Sequence, residues 1–130
     1  MVRSYRDLLV WQKAMDLVME SYRVAERLPK HETFGLAGQI RRAAVGIPAN
    51  IAEGHGREHL GDYLRFLSLA NGSLMELETH FIIAQKLGYI AEECADRALS
   101  SSAEIGRMLS GLSRALRKRQ LPGTSLTPDT

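Results

Sequence analysis

The stretch LGDYLRFLSLANGSLMELETHFIIA, residues 60–84, decides the fold. Within it Leu60, Tyr63, Leu67, Ala70, Leu74, Leu77, Phe81 and Ala84 recur at alternating spacings of three and four. That is the repeat of one face of an α-helix, and it persists for more than three heptads. Strand alternation would place these residues on both faces, so only a long packed helix accounts for them. Gly88 follows as a C-terminal cap, and Gly88-Tyr89-Ile90 reads as a short turn.

Working outward, a last helix is expected from about Ala91 to Arg119, with Ile105, Leu109, Leu112 and Leu116 inward. Towards the N-terminus, residues 34–52 carry helical spacing at Leu36, Ile40, Ala43, Ile47 and Ile51. Gly38, Ala44, Gly46, Ala49 and Ala52 are small enough there for a neighbour to approach closely. Pro48 is expected to kink this helix, because proline removes a backbone donor and crowds the preceding turn. Thr33 is the expected N-cap and Gly54 the expected left-handed C-terminal cap.

The first helix, about Tyr5 to Leu28, shows two adjoining stripes. One is Leu8, Trp11, Met15, Val18, Tyr22 and Ala25; the other is Ala14, Leu17, Ser21, Val24 and Leu28. Together they make an apolar face wider than a single partner helix uses. Pro29 ends the helix. Four helices joined by short loops predict an all-α fold, an antiparallel up-down-up-down four-helix bundle spanning 1–119, with a polar tail at 120–130 expected to be disordered.

Composition agrees with this reading. The 130 residues are 45% hydrophobic but only 6% aromatic, and contain four prolines. A chain of this length buries a core without metal or disulfide staples. The single cysteine, Cys94, has no partner for an intramolecular disulfide, which fits a reducing compartment. No apolar run is long enough to span a bilayer and the N-terminus lacks a signal core, so a cytoplasmic protein is expected.

The 17 basic and 15 acidic residues leave a net charge of only +2, so distribution matters more than bulk. From Ile105 to Arg119 the chain carries Arg107, Arg114, Arg117, Lys118 and Arg119 and no acid. Such a run either complements the negative end of a helix or binds an acidic partner. Arg41, Arg42 and Arg57, with Lys30, are candidates for a phosphate-facing patch, against the simpler reading of structural salt bridges. Asn50 and Glu53, beyond Pro48, are expected to form a structural polar network.

Catalysis finds no support. Ser73, Thr79 and Tyr63 lack a paired histidine and acid at diagnostic spacing, and no glycine-rich phosphate loop occurs. His31, His55, His59 and His80 include no Glu-x-x-His, so neither a metal site nor a cofactor is expected. His55 and His59, flanked by glycine, are expected to be solvated. Trp11 and Tyr22 are expected to pack in the core rather than stack on bases.

Three stretches carry a family resemblance: DLLVWQKA at residues 7–14, QIRRAAVGIPANIAEG at 39–54 with Arg57, and FLSLANGSLMELET at 66–79 with the turn LGYI at 87–90. They are similar to the four-helix-bundle proteins encoded by intervening sequences within bacterial 23S ribosomal RNA genes, which are related to the accessory variability proteins of diversity-generating retroelements. The resemblance spans roughly Tyr5 to Leu116. Gly46 stands where the pattern has Ser, and Asn71 where it has a basic residue.

That resemblance implies a homo-oligomer, a pentameric ring of bundles, and for the retroelement branch a basic surface that engages RNA and a reverse transcriptase. The expected function is a non-enzymatic, oligomeric protein binding RNA through clustered arginines. The alternative is a protein-interaction scaffold that binds no nucleic acid.

Overall fold

The computed structural model describes residues 2–119, and the expected tail at 120–130 lies outside the described residues. Four helices are present: α1 Leu9–Glu26, α2 Leu36–His55, α3 Leu60–Lys86 and α4 Glu92–Lys118. Single 3-10 turns at Tyr5–Asp7 and Lys30–Glu32 precede α1 and α2. Among the described residues there is no strand, and the chain is an all-α four-helix bundle. At 1.5 Å per residue α3 is about 40 Å long.

Each helix packs on two neighbours, α1 on α2 and α4, and α3 on α2 and α4, while the diagonal pairs do not meet. Gly46 on α2 faces Ser73 on α3, and Gly54 faces Phe66, so numbers rise along one helix as they fall along the other. Between α1 and α4, Lys13 meets Glu104 and Arg27 meets Cys94 in the same opposed sense. The core is filled by Leu17, Ile40, Ile47, Ile51, Leu67, Leu74, Leu77, Phe81, Ile105 and Leu109, each at most 2% exposed.

On the α1 face Ala14, Leu17, Ser21, Val24 and Leu28 of one stripe are all buried, and so are Val18 and Ala25 of the other. In the other stripe Trp11 is half-buried, and Tyr22, expected in the core, is 41% exposed. Two helical neighbours cover about one and a half stripes, and Tyr22 lies beyond that cover.

Two local expectations are corrected. Thr33 does not cap α2: its backbone is helical (φ −52°, ψ −45°), whereas an N-cap needs extended geometry. The N-cap position is Gly35, and Glu32 in the preceding turn supplies the missing acceptor, its Oε1 taking the Leu36 N–H at 3.0 Å. Gly54 is not a terminal cap; α2 runs on to His55, and the one positive φ among the described residues is at Gly88. At Pro48 α2 continues as one helix, Leu36–His55, with the ring buried. Core packing on both sides outweighs the lost backbone bond.

Gly88 is as expected. At φ +79° it closes α3 with the Tyr89 N–H donating to Ala84 O and the Gly88 N–H to Gln85 O, a Schellman closure. A signal that the periodicity left unread lies at the start: Ser4 and Asp7 form a capping box around Tyr5–Asp7. The backbone N–H groups of Arg3 and Ser4 hold the Asp7 carboxyl below its usual range.

Candidate nucleic-acid interface

The arginines that the sequence groups as one patch lie at two ends of the bundle. Arg41 and Arg42 sit near the start of α2, and Arg57 follows its C-terminus. The thirteen residues of α2 that follow Arg42 carry Arg57 about 20 Å from it. Arg41 Nη2 donates to Thr33 O at 2.9 Å, which ties α2 back to the preceding turn. Arg57 pairs with exposed Glu53 at 3.6 Å, and its guanidinium stands 4.8 Å from the Phe66 ring centre.

Asn50 and Glu53 are likewise separate. Asn50 Nδ2 donates to Gly46 O at 2.8 Å, and among the described residues no hydrogen bond joins the two side chains. The carbonyl that Pro48 leaves without its helical donor is that of Ala44, so Asn50 serves a different one. Lys30 is exposed on its turn and has no ion pair among the described residues.

The C-terminal basic run does contribute to a groove. Between α3 and α4 a cavity of about 300 Å³ is floored by Leu64, Leu67 and Leu109. Its polar wall is Ser68 and Asn71 on α3, with Ser110, Ser113, Arg114 and Arg117 on α4. Spacings of three and four along α4 bring these four side chains to one face. Two guanidiniums, three hydroxyls and an amide line one concave surface, a donor set suited to phosphate and sugar oxygens. Lys118 is exposed just beyond, and half-buried Arg119 lies near enough to Tyr63 for its charge to oppose the rise in that phenol's pKa, which burial pushes up to about 12.

Arg65 belongs with this end of the molecule and was missed in the sequence. Its guanidinium, like that of Arg57, lies 4.8 Å from the Phe66 ring centre, so one buried ring serves two cations. The adjacent Arg65-Phe66 pair at the start of α3 was the available signal. His55, expected to be solvated, is half-buried with its ring 5.8 Å from that of Tyr63. His59 is exposed at the N-cap of α3.

A second groove, about 480 Å³, lies beside the start of α2 and is lined by Tyr22, Phe34, Val45, Arg41, Arg42 and neighbouring small residues. Phe34 is 94% exposed there. Among the described residues no three His, Cys, Asp or Glu side chains gather as a metal site, and no helix is long and apolar enough to cross a membrane.

These features define a class: a helical bundle with a basic, hydroxyl-lined groove at one end and an exposed aromatic groove at the other. The family model described as 23S rRNA-intervening sequence protein matches residues 6–111, and the chain belongs to that family. The fold is similar to a crystal structure of a protein of unknown function from the S23 ribosomal protein family of Bacteroides thetaiotaomicron, with a TM-score of 0.76 and 22% identity over 82% of this chain and 99% of that one. No curated protein matches the chain.

Proposed function

We propose that the chain is a non-enzymatic, self-associating protein that binds RNA backbone through the α3/α4 groove. The observation that carries this reading is the convergence of Arg114 and Arg117 with Ser68, Asn71, Ser110 and Ser113 in one cavity of about 300 Å³. Arginine forks pair with phosphate, and the short polar side chains suit sugar and phosphate oxygens without reading sequence. Lys118, Arg119, Arg57 and Arg65 extend the positive field around that end. The mention of 23S rRNA in the family's description points to the same class of partner.

Self-association is supported by the aromatic groove. Phe34, Tyr22 and Val45 are 94%, 41% and 43% exposed on neighbouring elements, a contiguous apolar surface of the kind that marks an interface. Repetition of the basic groove around a ring, a pentamer by family resemblance, compensates for a net charge of only +2 per chain. The same aromatic groove also favours a second reading, a protein scaffold whose partner is another polypeptide.

Fluorescence anisotropy with labelled structured RNA, at low and at physiological salt, tests the proposal, with light scattering in the same buffers to count chains. Saturable binding that weakens steeply with salt and is lost in an Arg114→Glu/Arg117→Glu variant supports it. No binding at low salt, or binding that ignores those reversals, overturns it in favour of the scaffold.

A further inference from the structure

A third cavity, of about 180 Å³, lies between α1 and α4 near the far end of the bundle from the basic groove. It is lined by Glu20, Arg23, Val24, Arg27, Cys94 and Arg97. Arg23 and Arg27 stand one turn apart at the end of α1, and Arg97 faces them from the second turn of α4. The cavity therefore gathers three guanidiniums against one carboxylate, an excess of two positive charges.

The three arginines are exposed at the cavity's rim, and although acids are close in sequence, Glu26 on α1 and Glu92, Glu93 and Asp96 on α4, among the described residues none of the three forms a salt bridge, which leaves them open to a solute anion. The lining carboxylate, Glu20, instead accepts from the Ser101 hydroxyl at 3.3 Å. Arg27 is held by a sulfur: its Nη1 donates to Cys94 Sγ at 3.1 Å. Sulfur is a weak acceptor, so that contact orients the guanidinium without satisfying its donors. Like charges at this spacing repel, and the arrangement is one that an anion relieves.

We infer that this α1/α4 cavity is an oxyanion site for a small doubly charged phosphate group, gripped by Arg23, Arg27 and Arg97. Guanidinium forks match the paired oxygens of phosphate, and two net positive charges match its charge near neutral pH. The volume falls below the roughly 300–1,000 Å³ of sites that take drug-sized ligands, which selects an ion or a terminal phosphate over a whole nucleotide. Buried Cys94 serves as the anchor that positions Arg27. The site is separate from the Arg114/Arg117 groove and does not depend on it.

Isothermal titration of inorganic phosphate into the full chain in chloride buffer at about 0.1 M ionic strength tests this. A saturable site is expected that weakens at least about tenfold in Arg23→Gln/Arg97→Gln and is unchanged in Arg107→Gln, an exposed arginine of α4 that lines neither this cavity nor the α3/α4 groove. Arg97→Lys, which keeps the charge and loses the fork, is expected to fall between, and guards against a double variant that fails to fold. A parallel titration with adenosine monophosphate separates the two sources: tighter binding that still needs Arg23 and Arg97 assigns a terminal phosphate, and weaker binding assigns the free ion. Absence of saturable phosphate binding, or binding indifferent to both cavity variants, overturns the inference.

Discussion

Gly54 on α2 and Phe66 on α3 are packed so closely that a Cβ on the glycine would stand 2.7 Å from Phe66 Cβ. It would also meet Tyr63 Cδ1 at 3.1 Å and Tyr63 O at 3.2 Å. The obstruction is backbone and the root of a side chain, which no rotamer change relieves. Gly54→Ala should therefore destabilise the bundle by about 1–3 kcal/mol, although alanine is the better helix former. Urea unfolding followed by circular dichroism measures it; a variant as stable as the parent would show that α2 and α3 separate at little cost.

Gly46 presents the opposite case on the same interface. A Cβ there would lie 2.8 Å from Ser73 Oγ but 3.4 Å from Ser73 Cβ, so only the hydroxyl obstructs. Gly46→Ala alone should be close to neutral, with helix propensity offset by displacement of that hydroxyl. With Ser73→Ala added, the propensity gain of about 0.5–1 kcal/mol should emerge. A double-mutant cycle with no coupling between the two positions would contradict this account.

Both glycines show what the sequence did and did not disclose. The four helices were legible because Leu60 to Ala84 and its neighbours repeat at three and four, and one long-range fact, burial, generates that repeat. The role of Gly54 was not legible: a glycine after an alanine-rich helix looks the same whether it caps the end or admits Phe66, and only α3 decides. Thr33 failed as a cap for a similar reason, since the 3-10 turn ahead of it brings Glu32 to the helix end first. Of the site, Arg114 and Arg117 could be read as a basic run, but Ser68 and Asn71, which complete the groove, come from another helix 40 residues away in sequence and no local pattern joins them.

His80 is expected to impose a pH dependence. Both of its ring nitrogens are buried without a hydrogen-bond partner, and burial holds its pKa below 6.5, with the nearby Glu76 charge opposing. Because the folded value is the lower one, the neutral ring's contribution is full above about pH 6.5 and is lost as pH falls through the folded pKa. His80→Leu should remove that part of the decline and raise stability at all pH values by about 1 kcal/mol, since two unsatisfied nitrogens disappear. Denaturant curves at about pH 8 and about pH 5.5 check both; an unchanged pH difference would assign the decline to other groups.

Glu32 should set part of the acid limb. Its Oε1 takes the Leu36 N–H and its Oε2 the Tyr89 hydroxyl, both at 3.0 Å, and these bonds hold its pKa below 4.5. The depressed value means that its support for the α2 N-terminus is present above 4.5 and disappears as pH falls through the folded pKa. Tyr89→Phe removes the second-largest cause, leaving the Leu36 bond and the smaller effect of the His31 charge. The Glu32 carboxyl carbon, followed by nuclear magnetic resonance, should then titrate higher than in the parent but still below 4.5, because the bond from Leu36 is the larger cause and remains.

The two groups of arginines should part in an RNA titration. Arg114 and Arg117 face a cavity and form no ion pair among the described residues, so each is free to neutralise a phosphate. Reversing either to Glu should weaken binding to every RNA alike and lower the slope of log affinity against log salt by about one. Arg41 is committed to Thr33 O, so Arg41→Glu should loosen the entry to α2 while leaving the salt slope as it is. Slopes from anisotropy titrations over a series of salt concentrations make the distinction, because a structural loss lowers affinity without changing the number of ions released. A reduced slope for Arg41→Glu with a normal one for Arg114→Glu would move the interface to the start of α2, onto the aromatic groove.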